Sequence, residues 1–294
     1  IPFILFVLTL ATRFWRLEEP RAVVFDEFHF GSWSILPPSS HLSSPLTQPS
    51  YLFDIHPPLG KLTLVFAGWL FGYDPETCGY EHIHYKYGPD CKFVVLRATA
   101  ALFGCITVPF LYSCARRLGS SWEGAVVTCV LFMLDNLNLI ESRLVLVDSQ
   151  LMFYMVLALW VGLCYFERRV PRQPRHLSLW ERVWWSIALG TVCGLAMSIK
   201  WTALATPGII AVECFFGFFF LREAVDIPDL LLMGFSSFVV YATWVYIHFQ
   251  MLPNSGDGDG FMPIEFQRTL INNTYYDPDA PKVSFWYMLF ELSR

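Results

Sequence analysis

Residues 93–115, FVVLRATAALFGCITVPFLYSCA, form an apolar stretch that carries a single charge, at Arg97. A helix that crosses a bilayer needs about 20 apolar residues, so this stretch is long enough to span. The chain as a whole is 55% hydrophobic and 15% charged, whereas a soluble domain carries about 25% charged residues. Further candidate spans lie at 1–15, 124–140, 148–166, 183–199, 201–221 and 229–250. The sequence therefore predicts an all-α, polytopic membrane protein.

The short loops between these spans differ in charge. Basic residues in short loops mark the cytosolic side of a membrane protein. One side carries Arg116, Arg117, Arg168, Arg169, Arg172, Arg175, Arg182 and Arg222, and acidic residues gather on the other. Segment 57–72 is apolar but begins with two prolines and is too short to span comfortably, which favours a re-entrant or interfacial helix. Residues 16–92 are therefore predicted to form one long external loop.

The spans and loops together predict one membrane region, 1–294, and no soluble domain. No Met opens the chain, and both ends resemble interrupted helices, so we expect truncation at both ends. The Pro- and Ser-rich segment 34–50 predicts an irregular excursion. No basic run of the kind that binds nucleic acid is present.

Cysteines and one sequon add information on the two sides of the membrane. Six of the eight cysteines lie in apolar segments, where a small buried hydrophobe is the simplest interpretation. Cys78 and Cys91 share the external loop and can pair if that loop faces an oxidising compartment. The sequon Asn272-Asn273-Thr274 falls on the external side, where N-glycosylation occurs.

Two adjacent acids, Asp26 and Glu27, stand in the stretch VFDEFHFG (24–31) of the external loop. Neighbouring side chains point in different directions on a helix or a strand, so at most one acid faces a given target. A single carboxylate suits a reaction whose leaving group is a phosphate, because a phosphate leaves as an anion and needs no general acid. The alternative is that Asp26 caps a short helix beginning at Phe28 and Glu27 is merely solvated.

Four basic residues lie near the external ends of the spans, at Arg13, Arg97, Arg143 and Lys200. Ionisable residues at membrane depth suggest function, and converging cations can hold a phosphate head group. The alternative is that each long side chain snorkels to the interface. In DIHPPLGK (54–61), His56 precedes a predicted helix start, which is a natural anion site; a capping or packing histidine fits the spacing equally well.

Several motifs together resemble the N-terminal membrane half of the dolichyl-phosphate-mannose protein mannosyltransferases. VFDE-x-HFG and D-x-HPPLGK occur in one chain, in the order expected for that family, and this combination is specific. The matching stretches are RFWRLEEPRAVVFDEFHFG (13–31), YLFDIHPPLGKLTLVFAGWLFGYD (51–74), ESRLVLVDSQLMFY (141–154), SIKWTALAT (198–206) and HFQMLPNSGDGDGFMPIEFQRTL (248–270).

The resemblance implies a GT-C glycosyltransferase bundle with a long lumenal first loop, as a multi-pass protein of the endoplasmic reticulum membrane with a lumenal active site. It implies inverting transfer of mannose from dolichyl phosphate mannose to Ser or Thr hydroxyls of secretory proteins, by a dimer with a related subunit. Asp26 would then be the base and Glu27 an acceptor-binding or orienting group. Arg13, Arg143 and Lys200 would be basic positions that flank the active site, which supports the interpretation of a phosphate site that His56 also faces. No metal or other cofactor is expected.

Three alternatives differ from this interpretation in function. The chain could belong to a GT-C relative that transfers a sugar to a lipid or a glycan. It could also be a non-catalytic partner subunit that keeps the acid pair. A polytopic transporter is disfavoured, because transporters place ionisable residues near the bilayer midplane, whereas these residues lie at the external ends.

Overall fold

The computed structural model of the protein describes residues 1–32, 51, 53–78, 82–169, 178–217, 219, 226–256 and 258–293. In these ranges the secondary structure is helical apart from two isolated β-bridges, Ala22 with Lys86 and Asn254 with Ile271. The predicted irregular segment 34–50 lies outside the described residues, as do Arg172, Arg175 and Arg222.

The described helices are numbered in chain order. They are α1 Pro2–Phe14, α2 Glu27–Ser32, α3 Leu59–Leu70, α4 Phe93–Arg117, α5 Trp122–Leu134, α6 Asn136–Glu141, α7 Asp148–Arg169, α8 Leu179–Met197, α9 Ala205–Phe216, α10 Ile227–Met251, α11 Ile264–Gln267 and α12 Phe285–Leu292. The predicted span 124–140 is two helices, because Asp135 follows α5 and accepts a hydrogen bond from the Asn138 backbone N–H, which starts α6.

Three of the described helices, α4, α7 and α10, are long and apolar enough to cross a membrane. Shorter apolar helices lie at Pro2–Phe14, Leu59–Leu70, Trp122–Leu134 and Trp201–Phe216. The division into seven spans stays a prediction.

The long helices pack as neighbours in a bundle. α4 contacts α1, α5 and α7, and α7 in turn packs on α8, which packs on α10. At one end of the bundle, Arg117 pairs with Glu167 and Arg182 pairs with Asp226. We call the opposite end the site end; there α1, α8 and α10 finish and α4 and α7 begin.

Helices α8 and α10 approach each other closely at two glycines. A Cβ atom at Gly190 would lie 2.3 Å from the carbonyl oxygen of Met233, and one at Gly194 would lie 2.5 Å from that of Ser237. Small residues four apart allow helix backbones to meet in membranes, where packing rather than the hydrophobic effect drives association. These glycines therefore set the α8–α10 distance.

We expect Gly194→Ala to lower the free energy of unfolding by about 1–3 kcal/mol, because the methyl group meets backbone that has to shift. Gly234→Ala is the matched control on α10, since no described atom lies within 4 Å of a Cβ there. Thermal unfolding of the purified full-length protein measures both variants. A Gly194 variant that unfolds at the same temperature as the Gly234 variant would contradict the close packing.

Candidate active site

A buried ion pair between Glu27 and Arg97 lies at the site end. Arg97 Nε donates to Glu27 Oε1 and Nη2 donates to Oε2, each at 2.8 Å, and both side chains are 0% exposed. The same guanidinium donates to the carbonyl oxygens of Leu17 at 3.2 Å, Pro20 at 2.9 Å and Ala22 at 3.3 Å. Arg97 therefore ties the first turn of α2 and the segment after α1 to the start of α4, and is not available to a phosphate.

Glu27 accepts three further hydrogen bonds besides those from Arg97. The backbone N–H groups of Val24 and Val145 donate to its carboxylate at 2.9 Å each, and the Tyr87 hydroxyl donates at 3.2 Å. The interpretation of Glu27 as a solvated residue is therefore wrong, because a solvated carboxylate is exposed to water. Of its two predicted roles, orienting and acceptor binding, this geometry favours orienting; a catalytic role for Glu27 stays a prediction.

Asp26 is arranged differently from its neighbour. It is half-buried, and its backbone carbonyl accepts hydrogen bonds from the N–H groups of His29 at 2.9 Å and Phe30 at 3.1 Å. Its carboxylate makes no hydrogen bond to any described residue, so the predicted side-chain cap is not formed. Phe25, directly before it, has φ of 51° and is 61% exposed; such strain in a bulky residue is characteristic of functional sites.

A second group of charged residues lies near Asp26. Lys200 Nζ donates to Asp148 Oδ1 at 2.7 Å, with the side chains 16% and 23% exposed. Burial, together with the nearby Lys200 ammonium, lowers the pKa of His56 below its ordinary value. The carboxylates of Asp148 and Asp26 act on His56 in the opposite direction. His56, Lys200, Asp148 and Asp26 therefore belong to one electrostatic cluster.

The backbone around Gly60 brings three sequence motifs together. The Leu59 N–H donates to the Ser198 carbonyl at 3.0 Å, and Gln150 Nε2 donates to the Gly60 carbonyl at 3.2 Å. A Cβ at Gly60 would lie 2.9 Å from Val147 Cγ1, so only glycine fits without a shift. The start of α3, which follows His56, is thus fixed against the segments that carry Asp148 and Lys200.

Arg143 holds the end of α1 and does not point freely into solvent. Its guanidinium donates to the carbonyl oxygens of Thr12 at 2.9 Å, Arg13 at 3.2 Å and Arg16 at 3.2 Å. A basic side chain is favourable at a helix C-terminus, where carbonyl groups lack intrahelical partners. These bonds use three of the five N–H donors of an arginine, so a contact with a donor phosphate stays a prediction.

Arg13 is fully buried within the bundle. It is 0% exposed, and its Nε would lie 3.0 Å from a Cβ placed at Gly104. Nη1 makes a long bond of 3.4 Å to the Thr12 hydroxyl, while Nε and Nη2 have no partner among the described residues. Arg13 therefore does not snorkel to an interface, and its predicted contact with the donor phosphate stays a prediction.

Two residues of this site were not singled out from the sequence. Asp148 carried a usable signal, since an acid at the head of an apolar span opposite Lys200 needs a partner. Tyr87 carried none, because its contact with Glu27 joins residues 60 positions apart. Cys78 and Cys91 form a disulfide with a Cα–Cα distance of 4.7 Å, which agrees with the sequence analysis.

Fold and site together define a helical membrane protein in which the half-buried Asp26 carboxylate and the Lys200–Asp148 ion pair act on His56 at the site end of the bundle. A family profile described as "Dolichyl-phosphate-mannose-protein mannosyltransferase" matches residues 3–253. The chain belongs to this family.

Individual relatives agree with this assignment. The chain is 29% identical to dolichyl-phosphate-mannose–protein mannosyltransferase 4 of Candida albicans over 91% of its length and 35% of that protein. It is 31% identical to mouse protein O-mannosyl-transferase 1 over 90% of its length and 35% of that protein. The chain thus spans about a third of the length of the curated relatives it matches.

A solved structure has a similar fold. The Saccharomyces cerevisiae protein O-mannosyltransferase Pmt1–Pmt2 complex bound to the sugar donor matches with a TM-score of 0.76 and 28% identity, over 93% of this chain and 36% of the matched chain. The predictions of the family and of an all-α membrane glycosyltransferase fold are confirmed.

Proposed function

We propose that the protein carrying this chain transfers mannose, with inversion, from dolichyl phosphate mannose to Ser or Thr hydroxyls of secretory proteins. The observation that carries this proposal is the difference between the two acids. Glu27 is buried and bonded to Arg97, whereas Asp26 is half-buried and its carboxylate acts on His56, as do Lys200 and Asp148. A carboxylate that makes no hydrogen bond to a described residue suits the role of the single base that transfer from a phosphate needs.

In the proposed reaction, Asp26 takes the proton of the acceptor hydroxyl while the hydroxyl oxygen bonds to the anomeric carbon of mannose. The bond between that carbon and the phosphate oxygen breaks, and dolichyl phosphate leaves as an anion. Lys200, with remaining N–H donors of Arg143, neutralises this charge. Asp148 accepts a hydrogen bond from the Lys200 ammonium at 2.7 Å. His56, whose pKa is lowered by burial, contacts the phosphate as a hydrogen-bond donor.

The environment of the site is proposed to be the lumen of the endoplasmic reticulum. Basic residues at the opposite end of the bundle support a cytosolic position for that end. The Cys78–Cys91 disulfide supports an oxidising compartment for the site end. The matched yeast structure is a complex of two mannosyltransferases with the sugar donor, which supports assembly with a related subunit.

The proposed activity is tested with the purified full-length protein and its co-expressed partner. Labelled dolichyl phosphate mannose is offered together with a Ser/Thr-containing peptide, a glycan and a lipid acceptor. Label on the peptide supports the proposal; label on the lipid or glycan alone supports the other GT-C transferases. If peptide label is formed at the wild-type rate when Asp26→Asn is introduced into this subunit alone, Asp26 of this subunit is not the base of the transfer. The same assay with EDTA tests the expectation that no metal is needed.

We expect Asn272 to carry an N-linked glycan in cells, because the sequon is displayed at the site end. Asn272 and Thr274 are exposed, and the turn is held by Asn273, whose Nδ2 donates to Asp259 at 2.8 Å. Glycosidase treatment should increase the gel mobility of the full-length protein, and Asn272→Gln should reduce this change by the mass of one glycan. Asn273→Gln is the control, since it keeps an Asn-X-Thr sequence. If glycosidase changes the mobility of another glycoprotein from the same cells but not that of this protein, the result would count against a lumenal position for the site end.

A further inference from the structure

The disulfide between Cys78 and Cys91 closes a segment between α3 and α4. Both cysteines are buried, and Cys91 lies directly before Lys92, the residue that precedes the first residue of α4. Within the closed segment, Gly88 lies against the turn Pro75–Thr77, since a Cβ at Gly88 would lie 2.3 Å from the Thr77 carbonyl oxygen. The two ends of the segment are therefore held together by a covalent bond and a close backbone contact.

The closed segment pairs with the residues that lead into Asp26. Val23 N–H donates to the Tyr85 carbonyl at 2.9 Å, and the His84 N–H donates back to the Val23 carbonyl at 2.8 Å. The Tyr87 N–H donates to the Arg21 carbonyl at 3.2 Å. Because Val23 is three residues before Asp26, a movement of the closed segment changes the position of that carboxylate.

Tyr87 joins the closed segment to the buried ion pair. Its hydroxyl donates to Glu27 Oε2 at 3.2 Å, and its ring stacks on Phe93 with centroids 4.0 Å apart and planes at 14°. The Arg97 guanidinium carbon lies 5.7 Å from the centre of the Tyr87 ring and 4.8 Å from that of Phe93. Tyr87 thus contacts both members of the pair that anchors the residue next to Asp26.

We propose that Tyr87 is a positioning residue for mannosyl transfer and that the Cys78–Cys91 disulfide keeps it in place. This proposal rests on the proposed function, because it takes Asp26 to be the base of the transfer. A misplacement of about 1 Å at a reacting group costs about a hundredfold in rate. A disulfide that only stabilised the fold would change the unfolding temperature and leave the turnover of the folded enzyme unchanged.

Tyr87→Phe tests the hydroxyl alone, since the ring stack on Phe93 is retained. We expect kcat to fall by about tenfold, less than the roughly hundredfold loss for a misplacement of about 1 Å because the ring stack still holds the segment, with the KM for donor lipid unchanged. Tyr85→Phe is the matched control, because it removes a hydroxyl from the same segment and the hydrogen bond between Tyr85 and Val23 uses the Tyr85 backbone carbonyl. Equal kcat values for the two variants would overturn the role of Tyr87.

The double variant Cys78→Ser with Cys91→Ser tests the disulfide. It is assayed in the full-length protein, well below its unfolding temperature, with Cys214→Ser as a control for a free buried cysteine. We expect kcat to fall by about tenfold or more while the KM for donor stays within about twofold, as for a misplaced reacting group. A wild-type kcat in the folded double variant would overturn the positioning role of the disulfide.

The wild-type protein in the same assay separates this proposal from the proposed function. Suppose that the wild type transfers mannose to peptide and that the Tyr87→Phe and cysteine variants have the wild-type kcat. This result overturns the positioning role and leaves the proposed function standing. Absence of transfer by the wild type overturns the proposed function and the positioning role with it.

Discussion

Asp26→Asn is expected to lower kcat for mannosyl transfer by about 10²–10⁴-fold, which is the usual contribution of a general base. The substitution preserves side-chain shape, and the hydrogen bonds that hold the start of α2 use the Asp26 backbone carbonyl. Since the carboxylate bonds to no described residue, the unfolding temperature and the KM for donor should stay near the wild-type values. Steady-state kinetics and thermal unfolding on the same purified material measure both effects.

The matched control for this variant is Asp279→Asn. Asp279 is an exposed acid beyond α11, and its contact with Asp277 is made by its backbone N–H. The control should transfer mannose at the wild-type rate. If Asp26→Asn also does so, the base is another residue.

Arg97→Met is expected to lower the free energy of unfolding by about 3–5 kcal/mol, because it leaves the Glu27 carboxylate buried without its counter-charge. Glu27 is 0% exposed and keeps only neutral donors in this variant. Adding Glu27→Gln removes the unpaired charge, so the double variant should be less unstable than the sum of the single ones. Thermal unfolding in detergent of the wild type, the two single variants and the double variant gives the double-mutant cycle.

The control for Arg97 is Arg117→Met at the opposite end of the bundle. Arg117 pairs with Glu167, and their side chains are 28% and 45% exposed. An exposed ion pair contributes about 0–1 kcal/mol, so this variant should unfold close to the wild type. If the two substitutions lower the free energy of unfolding equally, burial does not make the Glu27–Arg97 pair more important for stability than an exposed pair.

The sequence predicted the parts of the fold that depend on local pattern. Spanning helices follow from apolar length, and α4 at Phe93–Arg117 covers the stretch 93–115. The break at Asp135 was missed, because a cap by one carboxylate does not change the average composition of 124–140. The motifs around Asp26 and His56 were found because their residue types are unusual in an apolar chain.

The partners within the site could not be predicted, because they join distant positions. Arg97 and Glu27 are 70 residues apart, and Lys200 and Asp148 are 52 apart. From the sequence, Arg97 and Arg13 looked equivalent to Lys200, since all are cations near the ends of spans. In the structure, Arg97 neutralises Glu27 and Arg13 is enclosed by α4, so of these three only Lys200 lies in the cluster with Asp26 and His56.

The anomeric configuration of the mannosyl peptide tests most directly whether one available carboxylate performs the transfer. A single displacement promoted by Asp26 inverts the configuration of the donor, whereas a second carboxylate acting as nucleophile gives retention through a covalent intermediate. We predict that NMR of the peptide product made by the full-length protein shows the configuration opposite to that of the donor. A product with the configuration of the donor would contradict the assignment of Asp26 as the only reacting acid.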